Sequence, residues 1–172
     1  STDLSVPGTG ATIVDECLRV LGGIDVVICN AGYGIMGPVA EVHPEDMARI
    51  WQVNFQSGYE SIQSALPHLL EQGRGHIVMG SSVLGKKAMP FSGAYSVTKF
   101  AQVALGESLW GELRSTGVGV SVICPGYTAT EFHGVAKRTA SMSDITRPFQ
   151  GQSSEQVAGV IVNAVLQAKR EV

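Results

Sequence analysis

Along residues 9–22, apolar side chains recur at Ile13, Val14, Cys17, Leu18 and Leu21, the spacing of a helix with one buried face. Thr9 or Thr12 is a candidate N-cap, and Gly22-Gly23 a stop. Ile24 to Asn30 is short, β-branched and apolar without alternation, which predicts a strand buried on both faces of a parallel sheet. Residues 44–72 read as one long helix, with Pro44 suited to its first turn and Pro67 expected to kink or interrupt it. His76 to Ser81 and Val118 to Cys124 repeat the strand pattern, the latter stopped by Pro125-Gly126. Between them, residues 92–116 predict a helix with Gly93, Ala94, Ala101, Ala104 and Gly111 along one side. A polar, irregular stretch runs to about residue 152, and a last helix is predicted over 154–169.

Strands alternating with helices imply right-handed parallel crossovers, hence an α/β fold with a doubly wound parallel sheet. No linker interrupts the pattern, so residues 1–172 are read as one domain. Ile24–Asn30 has the composition of a central strand, yet only a possible stub at residues 1–4 precedes it. The ending Lys-Arg-Glu-Val resembles the approach to a further strand. The sheet is therefore expected to be incomplete at its N-terminal and C-terminal ends, the middle and rear of a larger domain. The helices of residues 44–72 and 92–116 each carry a second apolar side: Trp51, Phe55, Tyr59 and Ile62 on one, Ala101, Leu105, Leu109 and Trp110 on the other. These sides predict pairing between copies, in a homodimer or homotetramer.

Composition removes several classes. Hydrophobic residues make up 44% and charged residues 16%, with mean hydropathy +0.17, the reverse of a disordered chain. Net charge is −3 and the 12 Lys and Arg form no basic stripe, so no nucleic-acid partner is expected. No apolar run approaches a membrane span, and Ser-Thr-Asp-Leu-Ser lacks the pattern of a signal peptide. Cys17, Cys29 and Cys124 are odd in number and far apart, which predicts free thiols in a reducing cytoplasm. His43, His68, His76 and His133 show no metal-binding spacing, so no metal site is expected.

Gly32-Tyr33-Gly34-Ile35-Met36-Gly37 matches G-x-G-x-x-G after a strand. Its third glycine should open a helix whose N–H groups face phosphate, but Pro38-Val39-Ala40 follows, so a strand-end loop is the better reading. Ser82 lies in Gly80-Ser81-Ser82-Val83-Leu84, which lacks the final glycine of a nucleophile elbow. Tyr95 and Lys99 stand four apart on a predicted helix and share a face. An ammonium beside a phenol favours the phenolate, which predicts a general acid/base for an alcohol oxygen with its pKa pulled down. Ser82, Pro125-Gly126 and Asn30-Ala31-Gly32 all fall at carboxyl ends of predicted strands, where such sheets bind ligands.

These residues together resemble the short-chain dehydrogenase/reductase family from about Asp3 to Thr130. Asp3-Leu4 is similar to its adenine-contacting pair. Cys29-Asn30-Ala31-Gly32 is similar to its N-N-A-G element, with cysteine at the first position. Asn54, Ser82, Tyr95 and Lys99 match its catalytic tetrad, and Pro125-Gly126-Tyr127-Thr128-Ala129-Thr130 its nicotinamide-holding segment. The resemblance implies a Rossmann-like fold and an NAD- or NADP-dependent oxidoreductase interconverting an alcohol and a carbonyl compound. In it, Tyr95 exchanges the proton, Ser82 orients the substrate oxygen, Lys99 lowers the Tyr95 pKa and binds ribose hydroxyls, and Asn54 holds a water that links Lys99 to solvent. Cofactor contacts are implied for Asp3, Leu4, Asn30, Ala31, Gly32, Tyr95, Lys99, Pro125, Gly126, Thr128 and Thr130. Leu84, Met89, Phe91 and Phe132 imply an apolar substrate, with Phe132, Met142 and Phe149 in the loop that covers it. The family's opening strand and its Thr-Gly-x-x-x-Gly-x-Gly turn have no counterpart in this sequence, so this chain is expected not to hold the dinucleotide tightly and its cofactor-side loops, including residues near 130–150, to be mobile or in an open position. The alternative is a truncated, non-catalytic member acting as an interaction scaffold.

Overall fold

The structure, a computed structural model, describes residues 2–142, 151–168 and 170. Helix α1 spans Thr9–Leu21, followed by strand β1 (Val26–Cys29) and a two-residue strand β2 (Ile35–Met36). Helix α2 (Pro44–Trp51) runs through a π turn (Gln52–Gln56) into α3 (Ser57–Glu71). Then come β3 (Gly75–Gly80), α4 (Gly93–Glu112) and β4 (Val118–Ile123). The short elements β5 (Thr128–Ala129), α5 (Phe132–Val135), β6 (Lys137–Arg138) and β7 (Gln152–Ser153) lead to α6 (Ser154–Leu166).

Strands β1, β3 and β4 form one parallel sheet in the order β1-β3-β4. Val26 pairs with His76, and His76 with Gly119. Beneath one face lie α1, α3 and α4, whose Val14, Ile62, Ala65, Leu69, Val103 and Leu109 pack against Val27, Ile77, Met79, Val120 and Val122. Helix α6 covers the other face over β3 and β4, where Ala164 meets Val78 and Ile123. Two helices press close through glycines. A Cβ on Gly10 of α1 would collide with the Ser57 carbonyl oxygen of α3, and one on Gly106 of α4 with the Val122 side chain of β4.

Several expectations need correction. Strand β1 is not buried on both faces: Val26 is 40% and Ile28 50% exposed, because within this sheet α6 packs chiefly on β3 and β4. Residues 2–4 form no strand but lead into a turn before α1. Neither Thr9 nor Thr12 caps α1: Gly8 holds that position, and the Glu60 carboxylate accepts from the Gly8 and Gly10 amides at 3.1 and 3.2 Å. Pro67 does not interrupt α3, which continues to Glu71. Pro67 and Gln63 are both exposed, so water can serve the carbonyl that proline leaves free. The break falls at the π turn instead. Ile62 and Leu109 belong to the core and not to the outer sides of their helices. The outer side of α2–α3 keeps a ladder of rings, with Trp51–Phe55 centroids 4.8 Å apart and Phe55–Tyr59 6.3 Å apart. Among the described residues no helix is long and apolar enough to cross a membrane, and no disulfide joins Cys17, Cys29 or Cys124.

Candidate active site

Tyr95 is the third residue of α4, in its first turn, where the helix starts beside the carboxyl ends of β3 and β4. Its ring is buried (8% exposed) with Ile35, Ile50 and Ala94, and Phe132 tilts across it at 5.5 Å. Ser82 follows β3 in extended backbone, its Oγ accepts from the Leu84 amide at 3.2 Å, and its side chain lies near enough to Tyr95 to favour the phenolate slightly. The Val83 amide donates to the Pro125 carbonyl at 3.0 Å, which fastens the end of β4 to the Ser82 turn.

Lys99 is almost fully enclosed (3% exposed). Its Nζ donates to the Gly80 carbonyl at 2.7 Å and lies 5.5 Å from the centre of the Tyr95 ring. Ser81 Oγ donates to the Lys99 carbonyl at 2.8 Å, so β3 grips the lysine at both its backbone and its tip. Burial lowers the Lys99 ammonium to about 8 from 10.5. Burial pushes the Tyr95 hydroxyl up to about 12, and the Ser82 side chain only partly opposes it. This reverses the expectation of a phenol pulled downward: enclosure in apolar surroundings disfavours the phenolate by more than its neighbours recover.

Asn54 sits on the π turn, fully buried. Its Oδ1 accepts from the Tyr33 amide and its Nδ2 donates to the Tyr33 carbonyl, both at 2.9 Å, while Nδ2 also reaches Thr98 Oγ1 at 3.2 Å. Thr98 Oγ1 donates to the Tyr95 carbonyl at 2.7 Å. The side-chain amide of Asn54 thus clamps the loop after β1 to the first turns of α4. The Asn54 carbonyl accepts from Gln102 Nε2 at 2.7 Å. The expected role of holding a water meets an asparagine whose polar groups already have protein partners.

Asn30, Ala31 and Gly32 are exposed directly after β1, and Asn30 lies against Gly80. Gly126 faces open space after β4. Thr128 Oγ1 bonds the Gly126 carbonyl at 3.4 Å, and Thr130 Oγ1 accepts from the Phe132 amide at 3.3 Å. Asp3 and Leu4 lie in the turn before α1, where Ser5 donates to Asp3 Oδ1 at 2.9 Å and Thr9 Oγ1 to the Asp3 carbonyl at 3.2 Å. The Asp3 carboxyl is held low, first by its bonds to Ser5 and then by Arg49, which also acts on Tyr33.

The described part of the loop after β5 is seated and not open. Strand β6 pairs with β2, Lys137 Nζ contacts both Asp46 oxygens at 2.6 Å, and the Ser141 amide donates to Glu41 at 3.2 Å. Its Phe132 covers Tyr95, and Met142 is half-buried. Phe149 lies outside the described residues. Phe91, exposed at the rim, holds a left-handed φ of 65°, and its carbonyl accepts from the Gly37 amide at 2.7 Å.

The site fits one half of a nicotinamide dinucleotide. Exposed backbone at Asn30–Gly32 and at Gly126 flanks Tyr95 and Lys99 where a ribose and an amide would be held. The Gly32–Gly37 loop does not fit phosphate: Phe132 lies against Gly34, and Thr139 closes over Gly37. Residues that sequence reasoning did not single out are Tyr33, Thr98, Gln102 and the Gly80 carbonyl. Thr98 and Gln102 carried one signal, a position three residues after Tyr95 and Lys99 respectively on one helix.

Comparison with known proteins places the fold in a family. The family model of the short chain dehydrogenases matches residues 1–141. Dehydrogenase/reductase SDR family member 7B of Mus musculus is 33% identical over 99% of this chain and 54% of its own length. Ketoacyl reductase HetN of Nostoc is 31% identical over 94% of this chain and 55% of its own. A short chain dehydrogenase/reductase from Burkholderia phymatum, solved in complex with NAD, superposes with a TM-score of 0.85 at 25% identity, covering 99% of this chain and 68% of that one. The chain spans about half the length of the curated relatives it matches. By its sequence and by its α/β fold, this chain belongs to the short-chain dehydrogenase/reductase family of oxidoreductases.

Proposed function

We propose that the protein is an NAD(P)-dependent oxidoreductase that interconverts an alcohol and a ketone or aldehyde on an apolar substrate, with Tyr95 as the acid/base. The observation that carries this reading is one cluster: the buried Tyr95 with the Ser82 side chain acting on its hydroxyl and the Lys99 ammonium beside its ring. The bound cofactor supplies or accepts the hydride. The rest is done by the chain. Ser82 Oγ and the Tyr95 hydroxyl orient one substrate oxygen. At neutral pH Tyr95 holds its proton, so it is poised to donate to a carbonyl oxygen, and the phenolate left behind faces the Lys99 ammonium. Alcohol oxidation needs the phenolate first and is favoured at higher pH. Phe132 keeps water from the reacting oxygen. Asn30, Gly32, Lys99, Pro125, Gly126, Thr128 and Thr130 would hold the nicotinamide end, and Asp3 and Leu4 the adenine.

Apolar rings at the rim, Phe91 and Phe132 with Leu84 and Met89, support an apolar substrate. Thiols rather than disulfides at Cys17, Cys29 and Cys124 support a cytoplasmic setting, and the ring ladder on α2–α3 supports a homo-oligomer. The test is carbonyl reduction followed by reduced-nicotinamide absorbance, on the longest polypeptide carrying this sequence. Tyr95→Phe is expected to lose about 10²–10⁴-fold in kcat. A Tyr95→Phe variant that keeps its rate, or an unaltered protein that reduces no member of an aldehyde and ketone panel with either cofactor, refutes the reading. The second outcome leaves the scaffold alternative.

A further inference from the structure

Gln102 lies on α4, three residues after Lys99, and is 1% exposed. An amide so deeply enclosed costs stability unless both of its ends are bonded. Only one end is: Nε2 donates to the Asn54 carbonyl at 2.7 Å, and Oε1 has no partner among the described residues. Packing alone therefore does not account for a glutamine here, since methionine would fill the same volume without an unmet acceptor. The carbonyl it meets lies on the π turn, where bonding from i to i+5 widens the helix and loosens its peptides. The orientation of the amide is set by this contact, because the flipped form would put two oxygens face to face.

From Gln102 the bonds run without a gap to the acid/base. Nε2 holds the Asn54 peptide, Asn54 Nδ2 reaches Thr98 Oγ1, and Thr98 Oγ1 holds the Tyr95 carbonyl. The same Asn54 amide brackets both backbone groups of Tyr33. We propose that Gln102 is a positioning residue for the reaction: by pinning the π turn it fixes the Asn54 clamp that joins the Tyr33 loop to the Tyr95 turn of α4. This rests on the reading of Tyr95 as the acid/base. Without the donor the Asn54 peptide is free to rotate, and the oxygen-binding pair of Tyr95 and Ser82 loses its fixed distance from the loop after β1. The loss falls on kcat more than on KM, since Gln102 touches neither substrate nor cofactor.

The experiment compares Gln102→Met, which keeps shape without a donor, with Gln102→Glu, which donates only while protonated. Steady-state kinetics across pH are paired with hydrogen exchange at the Tyr33 amide and with thermal melting. Gln102→Met is expected to lower kcat about tenfold with KM changed less than about twofold, and to raise Tyr33 exchange, at a melting temperature near that of the unaltered protein. Gln102→Glu is expected to recover activity at acid pH and to lose it as the carboxyl ionises, a new limb in the pH profile. A Gln102→Met enzyme with unchanged kcat, or with unchanged Tyr33 exchange, overturns the proposal. Should Gln102→Met not fold, a Gln102→Glu pH profile parallel to that of the unaltered enzyme overturns it. If the unaltered protein turns over no substrate, the reading of Tyr95 fails, and Tyr33 exchange alone decides whether Gln102 holds the clamp.

Discussion

At the scale of single residues, the chemistry rests on two groups that burial drives toward their neutral forms. Lys99 titrates at about 8 in the fold and at 10.5 when unperturbed. Between those values the unfolded chain binds one more proton than the folded one, so this group's contribution to stability rises with pH. Tyr95 acts in the opposite sense: above its ordinary 10.0 the unfolded phenol ionises while the folded one, at about 12, does not, and stability falls. The pair's contribution to stability therefore climbs from about pH 8, is greatest near pH 10, and falls beyond it. Replacing Lys99 by methionine is expected to abolish the rise on the alkaline side of neutrality, measured as urea midpoints at about pH 7 and about pH 9.5. An equally steep rise in the variant would assign it to another group. The Tyr95–Lys99 pair was legible from its spacing alone, and Ser82 from its place at a strand end. The direction of the Tyr95 shift was not, because spacing reports the neighbouring charge while desolvation depends on Phe132 and Ile50, which only the fold brings to the ring.

At the scale of elements, close approach of helices and strands sets where the site can form. Gly106 permits α4 to lie against Val122 of β4. Gly106→Ala gains about 1 kcal/mol of helix propensity, but the added methyl overlaps a β-branched side chain in a packed core, a strain of about 1–3 kcal/mol. Net destabilisation is expected, whereas Gly111→Ala, whose Cβ would meet open space, should be neutral or stabilising. Denaturant midpoints for the two variants check this, and equal gains in both would show that α4 can shift freely on the sheet. Continuous apolar runs identified all three sheet strands and the helices between them, since both faces of β3 and β4 are in fact covered. The π turn was hidden: its extra residue is held by Ser57 and by Gln102 from another helix, a tertiary cause with no periodic trace. The two-residue strands β2 and β6 are too short for any period, and their pairing joins backbone groups about a hundred residues apart, Lys137 to Gly34 and Thr139 to Met36.

At the scale of the whole molecule, the rings Trp51, Phe55 and Tyr59, together with the exposed Val97 and Phe100 of α4, leave apolar surface outside the core. This surface is expected to be buried between copies, giving a dimer or tetramer mass by light scattering at micromolar concentration. A monomer there refutes it, and Phe55→Glu should dissociate an oligomer built on this face. The all-parallel sheet carries a further consequence, for how the chain reaches its fold. Among the described residues it contains no hairpin through which pairing could begin locally. Each ladder must close a long loop, from Val26 to His76 and from His76 to Gly119, before any strand is satisfied. Loop closure of this kind sets a high contact order and a slow search. During synthesis Val26–Cys29 emerges well before Gly75–Gly80, so an apolar strand waits with the edge that will meet β3 unpaired. Its yield in the cell is thus a race between that closure and capture by another exposed strand, which makes this chain a natural client of chaperones that shield extended apolar segments.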